Sequence, residues 1–388
     1  MTKNKIVVIL ALATSILICT SCWDGVEINR RAVIFSLGID KNMDPMDSQD
    51  TTSLDNPPRY IVSYAIPDMG KVSGNESISK DVVSIEAAKS TTFSTTIEEV
   101  QTRTQDTINF GHAKAVLLGA DLLRDPDMMK EIIDSLERNM IFARSIPLFA
   151  VRDTAQKVMD VKNDQHPIIG LYIMNYINNK ERAVSRYKEA LLGNTIRDLR
   201  ENNAAVIPII EMIDDSKIEI KGGALLKDFK LKAWFTPEEI RGILWAEGKV
   251  RGAKISIPIE QSYVSYTVRE QDSKISFFTK DNKVCCKIDI TNEGDIGEYY
   301  INAAHSLTDL ESIRQIESQI NNKIKKEMTH LIDQTKQYDT DVIGLGTELY
   351  RQHPKWWDHV ADNWDDSYRN MAIEINVDTK IRRTGIIE

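Results

Sequence analysis

Cysteine is scarce in this 388-residue chain: there are four, at positions 19, 22, 285 and 286. No disulfide framework is available, so the cores must come from apolar burial. Cys285 and Cys286 are adjacent and would close only a strained ring; in the apolar stretch Val284–Ile290 they are expected on opposite faces of a strand. Histidine is also sparse, and His112, His166, His305, His330, His353 and His359 form no HExxH and pair with no CxxC, so no metal site is indicated. The chain lacks a G-x-S-x-G elbow and a P-loop, and Cys285 has no neighbouring His to activate it. Beyond the N-terminus no run approaches eighteen apolar residues, which excludes a later membrane-spanning helix. An excess of basic charge is missing too: 49 Lys and Arg stand against 58 Asp and Glu, a net charge of −9. Such a surface gains nothing from a phosphate backbone or an anionic headgroup, so neither nucleic acid nor electrostatic membrane adhesion is expected.

What is present begins at the N-terminus. Lys3 and Lys5 precede thirteen uncharged residues, Ile6–Ile18, and the apolar run stops at Cys19-Thr20-Ser21-Cys22. A helix of that length rises about 20 Å against roughly 30 Å of hydrocarbon, which suits an export signal better than a span. Small Thr20 and Ser21 admit a peptidase to the bond before Cys22, whose thiol is the lipidation candidate and would become the first residue of the mature protein. Cys19 stands where such signals usually carry Leu, and the competing reading is an ordinary secretory signal with Cys22 there by chance. Loss of residues 1–21 removes Lys3 and Lys5 and takes the net charge to −11. Attachment must then come from the lipid, for which two acyl chains suffice without a basic patch. Eight residues separate Cys22 from Arg31, about 26 Å when extended, so the body is expected close to the membrane.

The remaining 367 residues exceed one core and suggest two or three domains. Strands are expected at 31–38 and 60–66, separated by an Asp- and Pro-rich insert, 41–58, that has too little apolar surface to order itself. Alternating elements follow: strand 82–87, helix 91–104, strand 113–118, helix 126–140, strand 146–151. Residues 154–203 read as helical and increasingly charged, with a boundary near 205. Short strands are expected at 218–220 and 229–235. Thr236-Pro237-Glu238-Glu239 is a capping box with Pro at the first helical position, opening a helix through Trp245. Four strands are expected next, at 254–259, 263–269, 275–279 and 284–290. Ile313, Ile316, Ile320, Ile324, Met328 and Leu331 or Ile332 then stripe one face of a long helix, which needs a sheet to lie on; 372–377 adds a strand to it.

Three clusters carry alternatives. Gly344-Leu345-Gly346 lacks the third glycine of a phosphate-binding loop and follows a helix, which favours a turn between helices. Trp357, Val360, Ala361 and Trp364 recur at helical spacing, with Trp356 beside them and Tyr368 a turn on: either a core-packing face or an exposed partner surface. Lys380, Arg382 and Arg383 break the acidic trend, either as the wet side of an edge strand or as a headgroup or membrane-partner contact.

Several segments, in order along almost the whole mature chain, resemble the spore germination Ger(x)C family, the lipoprotein C subunit of GerA-type nutrient germinant receptors. They are Cys22-Trp23-Asp24 with Glu27-Ile28; Leu37-Gly38-Ile39-Asp40; Asn109-Phe110-Gly111-His112-Ala113-Lys114; Ile132 to Arg138; Asn203-Ala204-Ala205 to Pro208; Gly222-Gly223-Ala224; Trp234-Phe235-Thr236 through Glu239, Arg241-Gly242 and Trp245; Asp341 to Gly346; Pro354, Trp356-Trp357 and Asn363-Trp364; and Lys380 to Gly385. Cys19 and the insert 41–58 depart from the pattern. The resemblance implies a multi-domain α+β protein with mixed sheets, covering helices and a C-terminal antiparallel sheet on a long amphipathic helix. It also implies a tether on the outer face of the inner spore membrane and assembly with two polytopic membrane subunits. No catalytic, cofactor-binding or metal-binding residue comes with it, and the nutrient sensed is not named by it.

The expected layout is thus a signal peptide over 1–21, an N-terminal domain over 22–205 and a C-terminal domain over 206–388, the last divisible near 265. The expected function is non-enzymatic: receptor assembly or signalling, with Cys22 as lipid acceptor. Two other classes compete. A solute-binding lipoprotein of a transporter needs two α/β lobes around a cleft, which the strands-then-long-helix order after 206 disfavours; a cell-wall hydrolase needs a positioned carboxylate pair or a metal.

Overall fold

A computed structural model describes residues 31–44, 57–68, 82–139, 142–161, 168–179, 185–259, 262–281, 283–299 and 310–383. The export signal, Cys22 and most of the acidic insert lie outside these residues.

An eight-stranded mixed sheet forms the N-terminal layer. Four parallel strands make its centre: β2 (Ser36–Lys41), β6 (Ala115–Leu118), β7 (Leu148–Ala150) and β8 (Ala204–Asp214). Antiparallel β3 (Tyr60–Pro67) and β4 (Val83–Ser90) extend one edge, β9 (Lys217–Lys227) and β10 (Lys230–Phe235) the other. Because side chains alternate along a strand, each central strand serves two cores. Leu37, Ile39, Val116 and Leu118 face α1 (Phe93–Gln101), α3 (Pro126–Arg138) and α6 (Leu192–Glu201). Ala115, Leu117 and Phe149 face α4 (Ala155–Met159) and α5 (Ile169–Asn178). The short α2 (Ala120–Leu123) continues directly from β6. In α3, Asp125 caps Met128 N at 3.1 Å, Pro126 takes the first turn, and Met128, Met129, Ile132, Ile133 and Leu136 are buried, as their spacing requires.

The stretch expected as one strand from Arg31 is two. β1 (Arg31–Val33) pairs in parallel with β5 (Thr107–Asn109), and the chain then changes partners, Ile34 N donating to Asn109 O and Phe35 N to Ala65 O, before β2 joins the large sheet. Strand β8 runs through the point near 205 where the sequence suggests only a boundary. Its register shifts between Pro208 and Ile210, so the proline sits at an irregularity where a ladder bond is dispensable.

The C-terminal layer is a four-stranded sheet, β11 (Lys254–Ile259), β12 (Ser262–Lys280), β13 (Lys283–Tyr299) and β14 (Ile373–Arg383), packed on the 28-residue helix α8 (Leu310–Gln337). The first three are antiparallel; β14 joins parallel to β13, because the chain returns through α8 before adding it. The segments expected at 263–269 and 275–279 are one strand. The polar run between them stays in the ladder because buried Gln271 is satisfied on both ends, donating to Trp245 O at 2.9 Å and accepting from Val250 N at 3.0 Å. Ile316, Ile320, Ile324, Met328, Leu331 and Ile332 line the buried face of α8.

The two layers are joined through β8, β9 and α7 (Pro237–Ala246). Ala205 and Leu226 pack into the N-terminal core, whereas Val206 and Leu225 pack with Ile240 and Ile243 of α7 in the C-terminal core. The expected capping box starts α7: Glu239 N donates to Thr236 Oγ1 at 3.3 Å and Thr236 N to Glu239 Oε2 at 2.7 Å. Arg241 of α7 and Glu327 of α8 form a bidentate ion pair at 2.9 and 2.6 Å, both residues under a tenth exposed.

Candidate functional site at the boundary between the layers

After α8 the chain turns through Asp339, with φ of 52°, to the buried Asp341. Asp341 Oδ1 accepts from Gly344 N and Leu345 N, both at 2.9 Å, and Oδ2 from Gly346 N at 2.7 Å and from the indole N–H of Trp364 at 3.3 Å. Burial pushes this carboxyl above the usual range, and the three backbone N–H groups and the indole oppose the rise. Gly344 stands at φ of 81°, a left-handed conformation that suits glycine, at the start of α9 (Leu345–Gln352). The Gly-x-Gly segment is therefore a turn between helices, and its amide donors are already taken by the chain's own carboxylate. A phosphate has no vacant donors there.

Gly346 has a separate reason. A Cβ on it would lie 2.8 Å from Cε2 of Trp364 and 3.0 Å from Cζ3 of Trp357, so the absence of a side chain is what lets both indoles settle over α9. Their rings lie 5.2 Å apart at 54°, Trp364 is 6.2 Å from the buried Tyr368, and Tyr368 OH meets Thr335 Oγ1 of α8 at 2.6 Å. The tryptophans do not share one helix. They are carried by α10 (Pro354–Val360), a 3-10 turn (Ala361–Asn363) and α11 (Trp364–Asn370). Trp356, Trp357 and Trp364 are half-buried at the edge of the C-terminal core. Tyr350 meets Trp357 edge-on at 6.5 Å and is 57% exposed.

This aromatic shelf faces the end of α6 across a cleft of about 910 Å³. Thr347 Oγ1 donates to Asn202 Oδ1 at 2.9 Å across the boundary, and Lys227 of β9 pairs with Asp365 at 2.6 Å. A second hollow of about 450 Å³ shares Glu201, Asn202, Asp341 and Thr347 with the first and extends towards the Lys188–Glu247 pair.

The other candidates lie elsewhere. Cys285 and Cys286 are buried free thiols of β13; Cys286 faces the core, where burial pushes it up to about 12. Lys380, Arg382 and Arg383 lie exposed on the edge strand β14, with Arg382 paired to Glu293. Among the described residues no three His, Cys, Asp or Glu are placed to hold a metal ion, and no helix is long and apolar enough to cross a membrane. Asp341 was missed as the organising residue. Its signal is an acceptor three to five residues before a Gly-x-Gly that opens a helix.

The order of these blocks along the fold agrees with comparison to known proteins. A profile described as "Spore germination protein N-terminal domain" matches residues 24–212, and one described as "Spore germination B3/ GerAC like, C-terminal" matches residues 221–385. The chain belongs to the spore germination GerAC, or Ger(x)C, family. It is 22% identical to spore germination protein KC of Bacillus subtilis (strain 168) over 99% of this chain and 97% of that protein. With spore germination protein A3 of the same organism it shares 24% identity over 97% of both. The crystal structure of the GerBC protein superposes with a TM-score of 0.60 at 17% identity, covering 89% of this chain and 96% of that one, which shows a shared fold. In this GerAC-family chain the Asp341–Gly346 block and the tryptophan block are thus one unit, assembled from three helices and seated on the boundary.

Proposed function

We propose that the chain is the non-catalytic, lipid-anchored C subunit of a spore nutrient germinant receptor, held on the outer face of the inner spore membrane by a diacylglyceryl group on Cys22. Its role in starting germination is assembly or signal transmission with two polytopic membrane subunits. The supporting observation is the end-to-end correspondence with spore germination proteins, 97–99% of the chain in the two relatives above. An acidic body repelled by anionic headgroups makes the lipid the natural tether. We further propose that the chain works as two domains, 22–205 and 206–388, preceded by the signal peptide.

The test is affinity purification of the tagged chain from detergent-solubilised spore membranes, with co-purifying proteins identified by mass. Two multi-spanning proteins at comparable yield are expected, and Cys22→Ala should move the folded chain to the soluble fraction. Recovery alone, or with transporter components, or a Cys22→Ala chain as firmly membrane-bound as wild type, would overturn the reading.

A further inference from the structure

We infer that the aromatic cleft at the layer boundary docks an extended protein segment presenting a lysine or arginine side chain. Its floor is Trp357 and Trp364, with the exposed ring of Tyr350 beside them. The faces of such rings carry negative potential and attract cations, a guanidinium most effectively.

The charges around the rings decide the sign of the occupant. Asp341 is closed off by its own loop, Asp365 pairs with Lys227, and Asp366 pairs with Arg369, which also takes Asp339. Exposed Glu201 at the end of α6 and exposed Asp362 in the 3-10 turn line the cleft and have no cationic partner among the described residues. One carboxylate without a cationic partner therefore comes from each layer, and the half-buried indoles line the same cleft. That arrangement repels phosphate and anionic lipid and accepts a cation from both sides.

Size favours a segment over a free small ion. About 910 Å³ lies at the upper end for a small-molecule pocket, and the cleft runs on into the second hollow along the boundary. Aromatic residues and arginine are enriched in interface cores, which fits this pairing. The inference goes beyond the receptor-subunit reading: it assigns a surface and a chemistry, whichever protein supplies the segment.

The experiment places photoreactive p-benzoylphenylalanine at Tyr350 of the full-length chain, irradiates spore membranes and sequences the adducts by mass spectrometry. The expected adduct is a peptide of another protein with Lys or Arg within three residues of the attachment point. Its yield should fall at least fivefold in the Glu201→Lys/Asp362→Lys variant and stay unchanged in Asp215→Lys, an exposed acidic residue on the β8–β9 turn. Equal melting temperatures of the purified variants would show that charge, not unfolding, was read. No adduct, an adduct with lipid, a peptide without a nearby cation, or a yield indifferent to charge reversal would each overturn it. An adduct from a protein that is no receptor subunit would support this inference and count against the receptor reading; co-purifying subunits without any adduct would do the reverse.

Discussion

Asp341→Asn is the substitution that most directly tests how the boundary unit is built. The amide oxygen can replace Oδ1 and keep the bonds from Gly344 and Leu345. The amide NH₂ then occupies the place of Oδ2, where Gly346 N–H and the Trp364 indole both point. Two acceptor contacts become donor-against-donor contacts in a buried site. The 2.7 Å bond from Gly346 N is the strong one, and losing it with its donor left orphaned costs about 3 kcal/mol, while the long 3.3 Å indole contact adds little. A neutral amide is cheaper to bury than a carboxylate whose burial already raises its pKa, which returns about 1 kcal/mol. The expected net loss is about 2 kcal/mol, or roughly 4–8 °C in melting temperature for domains of this size. Urea unfolding at neutral pH measures the total, and hydrogen exchange of the Trp364 indole reports the site, where exchange should accelerate. A variant within about 0.5 kcal/mol of wild type with unchanged indole exchange would refute the reasoning.

Two further substitutions probe the cores. Glu327→Leu alone should destabilise by about 3–5 kcal/mol, because it leaves the Arg241 guanidinium charged at 8% exposure. Adding Arg241→Met should recover most of that loss; denaturant unfolding showing the double variant no more stable than the single would sink the argument. Asp40 supplies a pH test. Burial raises its carboxyl from 3.8 to about 6, with nearby Asp153 and Asp121 adding to the rise and the N–H groups of Ala155 and Gln156 opposing it. With the folded pKa above the unfolded one, the native state holds the extra proton between those values, so stability falls as pH rises from about 4 to about 6, by about 3 kcal/mol at most. Measured as the difference from Asp40→Asn, which cancels other groups, wild type should lose ground over that window and stay level above about pH 7; a flat difference would exclude Asp40 as the cause.

Much of the fold was legible because local signals were strong and unopposed. The α3 stripe, the Thr236–Glu239 capping box and the isoleucine face of α8 are each set by spacing within one element. The failures are places where tertiary context overrode a local sign. A boundary is expected near 205, yet the chain runs straight through it as β8, with Pro208 at a register shift. Two strands are expected, at 263–269 and 275–279, yet Gln271 between them is bonded to the end of α7 and one strand runs through. The tryptophan spacing was helical, but the chain breaks at Ala361–Asn363 and still brings the rings together through Gly346. The link from Asp341 to Trp364 spans 23 residues and has no periodicity to betray it.

Asp40 and Asp341 share a design that bears on what this fold can bind. Asp40 lies at the carboxyl end of central strand β2, where open α/β sheets ordinarily receive a ligand, and the helix beyond it, α4, has no cap from its own Thr154. The Asp40 carboxylate fills that role from the end of β2, accepting from Ala155 N at 2.7 Å and Gln156 N at 3.0 Å. A Cβ on neighbouring Gly119 would lie 1.9 Å from Asp40 Oδ1, so the crevice has no room for a methyl group, still less a phosphate. Asp341 repeats the device at the start of α9. At these two helix starts backbone N–H groups that could otherwise hold an anion are taken by a carboxylate of the chain itself. The boundary cleft has the opposite character, with ring faces and two carboxylates, Glu201 and Asp362, that have no cationic partner among the described residues, which is the chemistry of a cation acceptor and not of an anion site.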